Sequence, residues 1–253
     1  MRGEPQVCWG RSFLAQGIRN ARLIRTGYEC NNQCVFCNQG DWRVSRGDKS
    51  SEDVKAEISA VDAGEVVVFS GGEVTLRDEL VDWIRQAAAR GPKRIIVQTN
   101  GRLLAHESYI EALTEAGADV FAIALHGPVA PLHDWLTQVP GSFMETLRGI
   151  QNARSVGATV LINCVITRSN FRHLGQLVEL GDRLGVAALR FLWPDASGNA
   201  ADNRPSVIPD PDVVLPYLKQ AESIGARLGR RIFVELPHNL SNSDATVSQS
   251  ETP

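Results

Sequence analysis

The alternation of short β-branched runs with longer amphipathic stretches constrains the fold of this chain more than any other feature. Six runs rich in Val, Ile, Leu and Phe predict strands near residues 22–27, 66–70, 94–98, 120–125, 159–166 and 188–192, and a weaker seventh lies at 231–236. Apolar residues three and four positions apart predict helices near residues 51–61, 76–89, 106–116, 142–156, 173–184 and 211–228. This alternation implies parallel strands with right-handed crossovers. The sequence therefore predicts an α/β fold, a partial or complete (β/α) TIM-like barrel, with (β/α)6 preferred over an open doubly wound sheet.

Local signals set the limits of the elements and of the domain. Ser50 before Asp53 and Thr75 before Asp78 both have the spacing of a helix N-cap. Residues 1–21 form an N-terminal segment without a clear pattern, and residues 22–238 form the core with a short C-terminal extension. The tail, residues 239–253, has almost no large apolar side chain, so we expect it to be disordered.

Composition limits the partners. The 26 basic against 29 acidic residues give a net charge of −3, which disfavours a nucleic acid. No apolar run is long enough for a membrane span, and the polar start lacks a secretory signal, so we expect a cytoplasmic protein with no membrane partner. Five cysteines are a poor basis for disulfides in a chain of this length, which favours reduced thiols or a metal site.

The least ordinary stretches of the sequence follow the predicted strands. Barrel enzymes place their chemistry on these loops, which here read CNNQC, GGE, TNG, HG, TRSN and WPDASGN. In strand four the bulky Phe121, Ile123 and Leu125 alternate with small residues, so His126 is predicted to point into the barrel mouth. The same alternation turns Asn163 and Arg190 towards that opening.

Three cysteines within eight residues, Cys30, Cys34 and Cys37, have no fourth cysteine nearby. Three thiolates can hold three irons of a [4Fe–4S] cluster and leave the fourth open, whereas an electron-transfer cluster takes four cysteines. Structural zinc, with Cys8 as a distant fourth ligand, and three unrelated buried thiols are the alternatives.

The CxxxCxxC loop after the first strand resembles that of the radical SAM superfamily. The sequence FSGGEVTL at residues 69–76 resembles the GGE motif that follows the second strand of that family. The likeness covers residues 22–195, and its later part resembles the branch of the molybdenum-cofactor cyclase and the peptide-maturation enzymes, without the cysteine-rich SPASM extension.

The resemblance implies a role for each matching residue. The three cysteines would ligate the cluster, S-adenosylmethionine would chelate its open iron, and Glu73 would hold the ammonium group of S-adenosylmethionine. The other matching positions would line the site of that cofactor, Phe36 beside its adenine: Phe36, Gly71, Gly72, Thr99, Asn100, Asn163 and Arg190.

Each assignment has a structural alternative. The GGE motif is also compatible with an ordinary strand-to-helix turn, and Phe36 with core packing. Thr99, Asn100, Asn163 and Arg190 are equally compatible with satisfied hydrogen bonds at a barrel mouth. His126 is our candidate catalytic residue, through substrate contact or proton transfer, against a histidine held by a backbone carbonyl.

The resemblance also implies a reaction. A one-electron donor such as flavodoxin or ferredoxin would reduce the cluster, and a 5′-deoxyadenosyl radical would take hydrogen from a small-molecule biosynthetic substrate. A ribosomal peptide substrate, a non-catalytic iron–sulfur or zinc scaffold, and a metal-free barrel lyase are the alternatives. Ala124 and His126 stand where the family often has Ser and Asp or Asn, so the type of reaction is left open.

Overall fold

Seven parallel strands form one sheet in which each strand pairs with its neighbours in chain order. The structure, a computed structural model, describes residues 21–235. The strands are β1 (Ala21–Arg25), β2 (Val66–Ser70), β3 (Arg94–Thr99), β4 (Val120–Ala124), β5 (Thr159–Val165), β6 (Ala188–Leu192) and β7 (Arg231–Glu235). The predicted α/β barrel-like fold is confirmed, and the weak seventh strand adds one unit to the preferred (β/α)6 arrangement.

Helices follow the strands along the chain. They are α1 (Gly40–Ser45), α2 (Ser51–Ser59), α3 (Leu80–Ala88), α4 (Glu107–Glu115), α5 (Ala130–Thr137), α6 (Ser142–Ser155), α7 (Leu174–Arg183), α8 (Asn199–Asp202), α9 (Arg204–Val207) and α10 (Pro211–Arg227). Short 3₁₀ turns cover Val74–Leu76, Leu103–Ala105 and Phe171–His173. None of these helices combines the length and the apolar composition that crossing a membrane requires.

The two faces of the sheet differ in chemistry. The outer face packs against the helices through the main core, to which Phe69, Phe121 and Ile123 belong. The inner face is apolar near the start of the strands, where Val66, Val68, Ile96, Val120 and Ala122 form a separate cluster. Two residues further along β2 the inner position is Ser70, and polar side chains take over. The alternation thus places the polar groups at the carboxyl end of the barrel.

The two N-cap predictions had different outcomes. Ser50 caps α2 as predicted, because its hydroxyl accepts a hydrogen bond from Asp53 N at 3.1 Å. The Thr75 prediction was wrong: this residue lies in a 3₁₀ turn, α3 begins only at Leu80, and the Thr75 hydroxyl donates to Glu73 instead. The hydroxyl is therefore committed to the GGE loop rather than to a helix end.

The terminal predictions cannot be compared with the structure. Apart from Ala21, which begins β1, the predicted N-terminal segment at residues 1–21 lies outside the described residues, as do Cys8 and the predicted tail at residues 239–253.

Candidate active site

A cavity of about 240 Å³ opens at the carboxyl ends of the strands. Its wall contains every residue that the sequence predicted for the site except Glu73: Cys30, Cys34, Phe36, Cys37, Gly71, Gly72, Thr99, Asn100, His126, Asn163 and Arg190. All seven strands of the described sheet contribute to this wall at or after their carboxyl ends, so the fold brings together residues far apart in sequence.

The cysteine loop, residues 26–39, joins β1 to α1 and is held from several sides. Gly72 N donates to Gly27 O at 3.0 Å, and Glu73 N donates to Glu29 O at 2.7 Å. On the opposite side, the backbone amides of Gln33 and Val35 donate to α5 at 2.9 and 3.0 Å. The loop backbone is therefore fixed before any ligand binds.

A distant segment, residues 197–203, covers the same loop, and we call it the clasp. Asn199 donates twice, from its backbone N to Cys37 O at 2.9 Å and from Nδ2 to Cys34 O at 2.9 Å. Asn203 Nδ2 donates to Val35 O at 3.2 Å. Gly198, at a φ of +51°, approaches so closely that a Cβ would lie 2.7 Å from Cys37 O. Two of the three cysteine carbonyls thus accept a hydrogen bond from the clasp.

The thiols of the loop are in an environment that opposes their ionisation. Burial raises the pKa of Cys30 to about 11, with the charge of Glu73 adding to the effect, and burial raises the pKa of Cys34 further. The cation of Arg43 acts in the opposite direction at both thiols. A positive centre bound to the sulfurs would provide the charge that this environment lacks.

The two glycines of the GGE motif serve the packing between loops. A Cβ on Gly72 would lie 2.2 Å from Glu29 O and 2.3 Å from Tyr28 O, and one on Gly71 would lie 2.8 Å from Gly27 O. The close approach that requires glycine here is therefore to the backbone of the cysteine loop.

Glu73 is buried, and its carboxylate accepts four hydrogen bonds from the protein. Oε1 accepts from Thr75 N at 3.1 Å, Thr75 Oγ1 at 2.6 Å and Thr99 Oγ1 at 2.5 Å. Oε2 accepts from Asn100 N at 2.6 Å. Burial raises the pKa of Glu73, whereas the four donors pull it down. The side chain joins the loops after β2 and β3 and is not part of the cavity wall.

The side chains of Thr99 and Asn100 also form hydrogen bonds within the protein. Thr99 Oγ1 also accepts from Gly101 N at 3.0 Å, and Asn100 Nδ2 donates to Asn31 Oδ1 at 2.6 Å. Their side chains tie the third strand to the cysteine loop while lining the cavity.

His126 lies at the end of β4 with its ring fixed by backbone groups. Nδ1 accepts from Val165 N at 3.3 Å, so the held partner is a backbone amide and not the carbonyl of the alternative interpretation. Burial lowers the pKa of His126 well below its usual value, and His133 adds to this effect. The ring is therefore neutral with its proton on Nε2, which makes no hydrogen bond within residues 21–235. The ring of Phe36 packs edge-on against the ring of His126, with 4.6 Å between the ring centroids.

Polar side chains on β5, β6 and β7 complete the inner wall. Asn163 is 4% exposed, and neither its Oδ1 nor its Nδ2 has a hydrogen-bond partner in the described part of the chain. Arg190 Nε donates to Glu235 Oε1 at 2.7 Å, while Glu235 Oε2 has no partner there. Buried polar atoms without partners are rare in folded proteins, so these groups are suited to a polar ligand.

Sequence reasoning missed three members of the site. Strand alternation could have identified Glu235. Phe233 pairs with Arg190, and Glu235 follows Phe233 by two residues, so it lies on the same face of the sheet. Arg43 and Asn199 gave no such signal, since their partners lie in loops without periodicity.

Within residues 21–235, no three His, Cys, Asp or Glu side chains converge as they would on a single metal ion. A [4Fe–4S] cluster does not require such convergence, because it places each cysteine on a different iron. The soft thiolate set at the cavity fits such a cluster.

Comparison with known proteins gives the family. The model of the radical SAM superfamily matches residues 24–181. The AdoMet-dependent heme synthase of Oleidesulfovibrio alaskensis is 30% identical over 200 residues, covering 77% of this chain and 51% of the relative. The probable GTP 3′,8-cyclase of Methanopyrus kandleri is 33% identical over 180 residues, covering 70% and 57%. The chain thus spans about half the length of these curated relatives.

Solved structures share the fold at lower identity. Native anSMEcpe with bound AdoMet and a peptide superposes with a TM-score of 0.66 at 18% identity, over 85% of this chain and 63% of that one. SuiB of Streptococcus suis bound to its precursor peptide SuiA gives a TM-score of 0.65 at 17% identity, over 90% and 52%.

Proposed function

This chain belongs to the radical SAM superfamily, and from that premise we propose that it binds a [4Fe–4S] cluster through Cys30, Cys34 and Cys37 and S-adenosylmethionine beside it, to abstract hydrogen from a small-molecule biosynthetic substrate. One observation carries the proposal: a fixed loop presents three thiols to the same cavity that contains the unpartnered amide of Asn163.

When bound by the three cysteines, the reduced cluster would supply the one electron that splits S-adenosylmethionine into methionine and a 5′-deoxyadenosyl radical. The residues of the chain bind and orient the cofactor and enclose the cavity. Phe36 and His126 form an aromatic wall, and Asn163 offers a donor and an acceptor to a polar cofactor. Glu73 orders the loops that surround the cofactor, and we assign it this positioning role rather than an exposed ammonium contact.

His126 is assigned to the substrate side of the cavity as a hydrogen-bond donor. Because Nδ1 accepts from a backbone amide, only Nε2–H is available to a ligand. The lowered pKa keeps the ring neutral, which favours a donor role over a proton shuttle at neutral pH.

The choice of a small molecule is supported by the relatives. Those at 30% and 33% identity are named for heme synthesis and for cyclisation of GTP, both small-molecule reactions. The peptide-bound neighbours, at 17% and 18% identity, support the fold alone. We therefore rank a metabolite ahead of a ribosomal peptide.

The electron that reduces the cluster is assigned to a separate donor protein. In residues 21–235 the one cysteine beyond the loop is Cys164, which is fully buried in the main core. It is not placed to ligate a second cluster, and a flavodoxin or ferredoxin is the class of donor that the proposal requires.

The test is anaerobic reconstitution with iron and sulfide, followed by dithionite and S-adenosylmethionine. The wild type should bind about four irons and form 5′-deoxyadenosine together with methionine. Replacement of Cys34 by Ala should abolish both, whereas Cys164→Ala should keep both, since it removes a cysteine away from the loop. A wild type that loads iron but forms no 5′-deoxyadenosine would instead support a non-catalytic scaffold. Stimulation by a dialysable metabolite fraction, and not by peptides, would support the substrate class.

A further inference from the structure

Arg43 on α1 reaches back towards the cysteine loop. Its Nη1 donates to Asn32 O at 2.6 Å, and its Nη2 lies 3.8 Å from Cys37 Sγ in donor geometry. Its Nε is buried without a partner among the described atoms. The side chain lines the cavity, so one short hydrogen bond aims the guanidinium at a thiol of the predicted cluster.

Within residues 21–235 no Asp or Glu forms an ion pair with Arg43. Its charge acts instead on the thiols of Cys30 and Cys34. Arg102 differs although it holds the same loop: its Nη1 donates to Asn31 O at 2.7 Å, while its Nε pairs with Glu145 at 2.5 Å. Of these two cations, only Arg43 combines a contact to sulfur with the lack of a carboxylate partner among the described residues.

Hydrogen bonds to the cluster sulfurs and nearby charge are among the factors that set the reduction potential of an iron–sulfur cluster. An added electron makes the cluster more negative, and a guanidinium in contact with a ligand sulfur stabilises that state more than the oxidised one. We propose that Arg43 raises the reduction potential of the cluster bound by Cys30, Cys34 and Cys37. This inference rests on the proposed function. It makes Arg43 the residue that eases electron transfer from the external one-electron donor.

The test is EPR-monitored potentiometry of the reconstituted protein without S-adenosylmethionine, for the wild type and Arg43→Met. At the potential where the wild-type cluster is half reduced, the ratio of reduced to oxidised cluster should fall at least about tenfold in the variant, equivalent to about 59 mV for a one-electron couple. Arg102→Met is the matched control. It removes a loop contact and a cation without touching sulfur, and its ratio should stay within about twofold of the wild type on that one-electron scale.

The possible outcomes separate the two proposals. A wild type that binds no cluster contradicts the proposed function itself. A loaded Arg43→Met protein with the wild-type potential overturns the role of Arg43, and so does an equal fall in Arg102→Met, which would assign the effect to a loosened loop. If Arg43→Met loads no iron, Arg43→Gln decides. The Gln amide can still donate a hydrogen bond to the loop but carries no charge, so the ratio should fall, and an unchanged ratio overturns the proposal.

Discussion

Replacement of Glu73 by Gln tests how much the four-donor carboxylate contributes to the fold. Gln has the same shape, and its oxygen can keep the three hydrogen bonds that Oε1 accepts. Its NH₂ group then faces Asn100 N, which donates to Oε2 at 2.6 Å in the wild type. One charge-assisted hydrogen bond is lost, and a buried donor loses its acceptor.

The magnitude follows from that exchange. A hydrogen bond to a charged group contributes about 1.5–3 kcal/mol, and an unsatisfied buried donor costs about 1–3 kcal/mol. Because Glu73 is 3% exposed, solvent does not screen the loss. We expect Glu73→Gln to lower the free energy of unfolding by about 2.5–6 kcal/mol.

The assay is urea unfolding of the cluster-free protein under anaerobic, reducing conditions, which separates stability from any effect on cofactor binding. Glu111→Gln is the control: the residue is exposed, and the variant should remain within about 0.5 kcal/mol of the wild type. If Glu73→Gln also unfolds within about 0.5 kcal/mol of the wild type, the carboxylate does not hold these loops together, and the positioning role is wrong.

Three further changes test the surroundings of the cavity. Burial lowers the pKa of His133 to about 4 from a usual value of 6.5. Between these two pH values the unfolded chain binds a proton at His133 and the native protein does not. Stability should therefore fall as pH drops from 6.5 towards 4, by about 2 kcal/mol at pH 5 from this residue, and His133→Asn should reduce the fall of the urea midpoint across that range, with His126 accounting for a remaining fall of the same sign. Gly72→Ala should prevent cluster loading, measured as loss of bound iron, because the new Cβ would lie 2.2 Å from Glu29 O. A normal iron content would show that the GGE loop and the cysteine loop can move apart without loss of the site. Asn199→Ala should release iron to a chelator several times faster than Asn203→Ala, since it removes the side-chain hydrogen bond to the carbonyl of a cysteine in the loop, and equal rates would argue against the clasp.

The sequence predicted the parts of this molecule that depend on periodicity. Alternation along β4 correctly placed Phe121 and Ile123 outside and Ala122 inside, and it brought His126 to the cavity. Spacing of cysteines and the GGE motif identified the two loops that meet. These features are local, so they are visible in a single stretch of chain.

The parts that sequence reasoning missed depend on contacts between distant loops. Thr75 has the spacing of an N-cap, but the hydroxyl is taken by a buried carboxylate that no local pattern reveals. The two glycines of the GGE motif were expected to line the cofactor site, and their close packing against the backbone of the cysteine loop was not foreseen. Asn199 bonds Cys34 O across 165 positions of sequence, which no motif encodes.

That separation has a consequence for biosynthesis. The ribosome releases the cysteine loop long before Asn199, and with 165 residues between the partners the delay is roughly 8–33 s at about 5–20 residues per second. During this interval the carbonyls of Cys34 and Cys37 lack the hydrogen bonds that Asn199 donates in the folded protein. The cysteine loop therefore reaches its final set of hydrogen bonds only after most of the barrel has been synthesised.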